Sequence, residues 1–354
     1  MKANKRKIII IILGAVLIIL LFIIPFGVSA MIYEDNFGNR YEKYEPMARS
    51  IDEFEELNSN RYTFASDEGQ ILVGYGYYRE RENIKGVVII AHGLGGGGHN
   101  SYLGIADFLA SNGYAVFAYD ATGNGESEGS SVKGLPQGLI DLDNAIKFVK
   151  QTSDFKGLPI MLFGHSWGGY SVGSVLNLQP DVRAVVMVAG FNKSMDIIEE
   201  EGRRIAGDGI SVVLPYISLY EKLKFGKYSS YTCIDGFENT DAGVMIIHSS
   251  DDEMISQEMS YDVFYDIYKN DSRFSFVKYD DRGHDYVFYS AKSREFRDEF
   301  NLKFDEYLNS LDKEFTAEIK ESYFNDNLNK KLLFDLDLEL MNNIVKFYDK
   351  YSNY

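Results

Sequence analysis

The apolar positions near the start of the chain follow no period at all. Ile8 to Ile24 is apolar throughout apart from Gly14, as expected of a helix with apolar surroundings on every side. At ~1.5 Å per residue, Ile8 to Val28 just reaches across a bilayer core of about 30 Å. Residues 31–60 then read as a tether with a short helix. Ser50 and Glu53 fit a capping box there, and Ile51, Phe54 and Leu57 supply one apolar edge. Arg61–Ala65 and Ile71–Tyr78 have strand character, the second alternating about Gly74 and Gly76 as an early antiparallel strand would.

From there short apolar runs alternate with helical stripes. The runs are Gly86–Ala91, Tyr114–Tyr119, Ile160–Phe163, Ala184–Ala189, Val244–His248 and Phe274–Tyr279. Several are apolar at successive positions, so both faces must be covered, as in a parallel sheet between helices. Leu139, Leu142, Ile146 and Val149 make a helical stripe, as do Val263, Phe264 and Ile267. The pattern predicts an α/β fold with a mostly parallel central sheet and helices on both faces. Phe191 to Asp241 is too long for a simple crossover and holds two helical pieces, Asp196–Ile205 and Val212–Leu223. It is expected to form a small helical cap over the site. The α/β domain is expected to cover 61–311, with a helical C-terminal extension over 312–354.

Composition narrows the reading. With 45% hydrophobic and 25% charged residues among 354, the body should be globular. The net charge of −17 becomes −21 once the four positive charges at Lys2, Lys5, Arg6 and Lys7 are set aside. So acidic a body repels nucleic acid and anionic lipid alike, and contact with a membrane would need an apolar device. The single cysteine, Cys233, rules out an internal disulfide or a Cys-rich metal site, and no cofactor or metal is called for. The basic cluster before the apolar run predicts a cytoplasmic N-terminus, residues 1–30 as a single-pass anchor, and an extracytoplasmic body. The rival is a signal peptide cleaved after Val28-Ser29-Ala30, but the run exceeds the usual core of roughly 7–15 residues. No cysteine follows it, which excludes a lipoprotein.

The strongest chemical signal is Gly164-His165-Ser166-Trp167-Gly168-Gly169, between a strand and a helical segment. A G-x-S-x-G turn this sharp strains the serine, and glycines two residues either side remove the clashes. Ser166 is therefore the candidate nucleophile. A serine hydroxyl needs a base. His165 lies inside the turn, and His92 and His248 end strands. His284, in the loop after the last strand, is the candidate base. Its orienting carboxylate comes from Ser249-Ser250-Asp251-Asp252-Glu253, with Asp252 chosen and Asp251 the alternative. Oxyanion donors are expected from the N–H of Trp167 and from the loop His92-Gly93-Leu94-Gly95-Gly96-Gly97-Gly98, with Leu94 N–H the candidate. That loop lacks the Lys and Ser/Thr of a P-loop. Asp120 to Gly129 reads as a tight scaffolding loop. Tyr216, Tyr220, Phe225 and Tyr231 of the cap are candidates for lining an acyl pocket, packing being the competing role.

Together these pieces resemble the monoacylglycerol-lipase, lysophospholipase and serine-aminopeptidase-like branch of the α/β-hydrolases, over roughly Arg61 to Leu311. The matching residues are His92-Gly93 with Leu94, the Asp120 to Gly129 loop, Gly164 to Gly169, Asp252 with Ile255, and Gly283-His284. The family's spacing from the strand-end histidine favours Asp252 over Asp251. Departures stand at Ser249, where the family usually has Gly, and at Thr122 and Asn124, where it usually has Arg and His. The resemblance implies hydrolysis of lipid-like or small acyl esters through an acyl-enzyme. Peptidase and acyltransferase chemistry on the same triad are alternatives, as is a non-catalytic surface interaction protein. No protein partner is indicated.

Overall fold

The computed structural model describes residues 2–352 other than 81, 96 and 312–314. Gly96 of the glycine-rich loop and Asp312, the expected start of the C-terminal extension, thus lie outside the described residues. Eight strands form one sheet: β1 (Asn58–Ala65), β2 (Ile71–Tyr78), β3 (Val87–Ala91), β4 (Ala115–Tyr119), β5 (Ile160–His165), β6 (Ala184–Val188), β7 (Gly243–Ser249) and β8 (Phe274–Tyr279). Their order is β1-β2-β4-β3-β5-β6-β7-β8. β2 pairs antiparallel with both neighbours, and every pair from β4 to β8 is parallel. The chain leaves β3 for β4 on one side and returns to β5 on the other. That reversal opens a crevice at the carboxyl ends of the strands, where sheets of this type bind ligands. Ala91 lies opposite Gly164, and His165 opposite Val188. The loops after β3 and β5 therefore emerge side by side.

β3 to β7 are buried along their whole length, which accounts for their unbroken apolar runs. One face is covered by Leu135–Gln151, Trp167–Ser174, Cys233–Glu238 and Tyr261–Tyr268. The other is covered by Leu103–Ser111 and by Leu338–Ser352, near the chain's end. Leu340, Met341, Ile344 and Tyr348 are at most 1% exposed, and Tyr348 Oη donates to the Leu162 carbonyl at 2.8 Å. The core thus draws on residues well beyond 311.

Two differences from the sequence expectation lie near the N-terminus. The first helix runs on to Phe37 through Lys2–Ile18, a π-helical turn at Ile19–Ile23, and Ile24–Phe37. Ser29 and Tyr33 are buried against the cap, and this packing holds residues 31–37 in a helix where a tether was expected. The capping box at Ser50 and Glu53 forms, but it closes only the 3-10 turn Ile51–Glu53.

In the segment expected as the cap, Ser194–Ala206 and Leu214–Phe225 are helical; Cys233–Glu238, also within 191–241, packs on the core. Glu221 is 1% exposed. It accepts from Tyr33 Oη at 3.0 Å and from Ser194 Oγ. Burial pushes its carboxyl from the ordinary 4.5 up to about 7, against the pull of those two hydrogen bonds. A carboxyl raised on folding contributes its full stability below the unfolded value, and loses that contribution as pH rises through the folded one. The loss corresponds to about 3 kcal/mol at most, at ~1.4 kcal/mol per tenfold. Amide protection factors in Leu214–Phe225, corrected for the intrinsic exchange rate, are therefore expected to fall between about pH 5 and 8. Glu221→Gln should flatten that dependence. An unchanged slope in the variant would assign it to another group.

Candidate active site

β5 feeds directly into the helix Trp167–Ser174, with Ser166 at the corner. Its backbone angles, φ 56° and ψ −117°, are sparsely populated for an L-residue and cost about 1–3 kcal/mol, a strain typical of functional sites. Its neighbours explain how the turn closes. A Cβ on Gly164 would lie 2.2 Å from the Gly168 carbonyl oxygen, and one on Gly168 would lie 1.9 Å from that of Ala91. Both obstacles are backbone, so only glycine fits.

The turn aims Ser166 at the loop after β8. Ser166 Oγ is 2.8 Å from His284 Nε2, and His284 Nδ1 is 2.8 Å from Asp252 Oδ2. An ionised carboxylate only accepts, so Nδ1 carries the proton and Nε2 is left to accept from the hydroxyl. Burial alone would push the Asp252 carboxyl up. The hydrogen bond and charge of His284, with the Ile255 N–H, hold it below its ordinary value. The adjacent Asp251 does different work. It accepts from Ser249 Oγ at 2.5 Å, from Arg282 N at 3.1 Å and from Gly283 N at 2.9 Å, and so shapes the turn that presents His284.

Leu94 follows β3 beside the elbow, and Trp167 opens the helix. Neither N–H has an acceptor among the described residues, as is needed of donors kept for an oxyanion. The Trp167 side chain is 2% exposed and is fixed by Nε1 donating to the Leu135 carbonyl at 2.8 Å.

Tyr102 was not singled out from the sequence. Gly93 N–H donates to Tyr102 Oη at 3.1 Å, Tyr102 Oη lies 3.1 Å from His165 Nδ1, and His165 Nε2 is 3.0 Å from the His284 carbonyl oxygen. Burial, then the charge of His284, push His165 well below the usual imidazole value. As a neutral ring it accepts from Tyr102 and donates to the His284 carbonyl. One string of hydrogen bonds thus ties the loop after β3 to the main chain of His284. No local signal marks Tyr102, because its partners lie in distant loops.

The remaining histidines are structural. His92 Nε2 accepts from Ala121 N at 2.9 Å, His99 bonds Asp120 at 2.8 Å, and His248 is buried beside Ser260. Asp120 also accepts from Glu126 N, which closes the loop expected to act as scaffold. His165, His284 and Asp285 bring ligand atoms within 4.8 Å of one another, but all four ring nitrogens are already hydrogen-bonded. Of the cap aromatics, Tyr216 and Tyr220 meet the N-terminal helix, Phe225 packs in the Tyr33 cluster, and Tyr231 packs against the core.

The family model for serine aminopeptidase, S33, matches residues 82–232. YfhR of Escherichia coli K12 is 31% identical over 113 residues, 31% of this chain and 38% of that protein. Caffeoylshikimate esterase of Arabidopsis thaliana is 38% identical over 88 residues, 24% of this chain and 26% of that one. The chain therefore spans well under half the length of these curated relatives. An esterase from Pyrococcus furiosus superposes with a TM-score of 0.53 at 16% identity, over 77% of this chain and 98% of that one. Est1E from Butyrivibrio proteoclasticus, solved with ferulic acid, gives 0.50 at 21% identity, over 68% and 98%. Residues 82–232 thus match the serine-aminopeptidase family, and the chain has the α/β-hydrolase fold.

Proposed function

We propose that this chain is a membrane-anchored serine esterase that cleaves lipid-like or small acyl esters through Ser166, His284 and Asp252. The observation that carries the reading is the continuous hydrogen-bonded line from Ser166 Oγ through His284 to Asp252, with 2.8 Å at each link. His284 Nε2 takes the hydroxyl proton as Ser166 Oγ attacks the ester carbonyl, and Asp252 stabilises the imidazolium. The Leu94 and Trp167 N–H groups donate to the oxyanion that forms. His284 then protonates the departing alkoxide, and water, deprotonated by the same ring, releases the acid from the acyl-enzyme. The caffeoylshikimate esterase relative and the esterase folds support ester cleavage. The serine aminopeptidase model supports a second reading, amide cleavage on the same residues.

The N-terminal helix is taken as a retained anchor, with the body outside. Lys5–Phe37 is long and apolar enough to cross a membrane, and the helix continues unbroken through Val28–Ala30 with Ser29 buried on the cap. Activity on p-nitrophenyl acyl esters is expected to stay with membranes through an alkaline carbonate wash, to leave only in detergent, and to exceed activity on aminoacyl amides at least a hundredfold. Release by the wash would refute the anchor, and faster amide cleavage would favour the peptidase.

A further inference from the structure

The acidic body repels anionic headgroups, so holding the site close to a bilayer requires apolar surface. The cap carries such a surface, and its position along the N-terminal helix is fixed by six contacts. Tyr216 Oη donates to the Leu21 carbonyl at 2.5 Å, and Phe26 meets the Tyr220 ring edge-on at 5.9 Å. Ser29 Oγ lies 3.5 Å from the Val213 carbonyl oxygen. Further out, Tyr33 reaches Glu221, and Glu34 pairs with Lys224 while accepting from Tyr220 Oη at 2.6 Å. The backbone of Leu214–Phe225 therefore lies beside residues 29–34, and Tyr216 reaches down along the helix toward residue 21. A bilayer core of about 30 Å that begins at Ile8 ends near Val28. The cap helix is thus held at the outer membrane boundary, with tyrosines at the level where aromatic side chains favour the interface.

Its outward face suits that position. Val212 is 70% exposed, Leu219 47% and Leu223 69%, with Pro215 exposed between them. The spacing of four residues puts Pro215, Leu219 and Leu223 on one side of the helix, and Val212 stands just before it, at the end of a 3-10 segment. From Gly209 to Tyr220 the chain carries no charge, and Lys222 and Lys224 follow at the outer end. Met31, on the N-terminal helix just past Val28, is 73% exposed.

We infer that the stripe Val212, Pro215, Leu219 and Leu223 is embedded in the outer leaflet around the N-terminal helix, among lipid acyl chains. The inference rests on the reading of Ile8–Val28 as a membrane span, and extends it. The span and the cap helix form one membrane-seated unit, continuous through Tyr216, Tyr220 and Tyr33, and the catalytic site takes its ester from that leaflet rather than from bulk water. An interfacial helix of this kind sinks roughly 5–10 Å into the headgroup–acyl boundary.

The full chain in phosphatidylcholine vesicles tests this. The native Cys233 is fully buried, so a thiol-reactive nitrobenzoxadiazole probe can be directed to Leu20→Cys, Leu219→Cys, Leu223→Cys or Leu302→Cys in separate proteins. With nitroxide-labelled acyl chains in the bilayer, fluorescence at 20, 219 and 223 is expected to fall at least twofold, and that at 302 to stay unchanged. Quenching at 20 with none at 219 and 223 would overturn the embedded cap while leaving the span intact. No quenching at 20 would overturn the span, and the inference with it. In parallel, a Leu219→Asp/Leu223→Asp double variant should hydrolyse p-nitrophenyl butyrate as the parent does, but lose about tenfold in turnover of an acylglycerol presented in vesicles. An equal loss on both substrates, or none on either, would contradict substrate entry from the leaflet.

Discussion

Ser166→Ala is expected to lower kcat for ester hydrolysis by roughly 10⁴- to 10⁶-fold and to leave the fold intact. Removing the nucleophile of a Ser-His-Asp triad costs about that much, because the remaining two members have nothing to activate; the residual rate comes from the oxyanion donors and substrate binding. The substitution also removes only one oxygen, from a partly exposed side chain. Gly164 and Gly168 still permit the sharp turn. The unfolding midpoint should therefore hold or rise slightly, since the positive-φ strain at position 166 remains while the site loses a polar group. The check is kcat measured alongside thermal unfolding. Retention of more than a few per cent of the parent rate would remove Ser166 from the mechanism.

The second large effect separates two neighbouring carboxylates. Asp252→Asn is expected to lower kcat about 10⁴-fold. The asparagine amide can donate to His284 Nδ1, which flips the tautomer and turns an N–H toward Ser166 where a lone pair is needed. Asp251→Asn should cost tenfold or less. Asp251 accepts from a hydroxyl and two backbone N–H groups, and asparagine keeps one oxygen to accept them. The readout is kcat for the two variants side by side. A larger loss for the Asp251 variant would reassign the carboxylate that serves His284.

Much of this site was legible because its signals are local. Gly164-x-Ser166-x-Gly168 is a steric requirement within five residues. The runs at Val87–Ala91 and Ala184–Val188 betray burial on both faces by themselves. What the sequence concealed arises between distant segments. Nothing near Tyr102 says that its hydroxyl will bridge Gly93 and His165. The helix beyond Ala30 persists because Tyr33 finds Glu221, nearly two hundred residues away. The amphipathic end of the chain reads as an appended arm until Tyr348 is seen on the Leu162 carbonyl. Asp251 and Asp252 are chemically alike; the family's spacing favours Asp252, and the direction each faces after β7 sets their different contacts.

In the proposed mechanism one oxygen, Ser166 Oγ, carries the covalent chemistry, and mass spectrometry can ask that oxygen directly. The full-length protein in detergent is incubated with a fluorophosphonate, digested and sequenced by fragmentation. The expected result is a single stoichiometric phosphonyl adduct on Ser166, lost in the Ser166→Ala protein. An adduct on another residue, or an unmodified chain that still turns over esters, would contradict it.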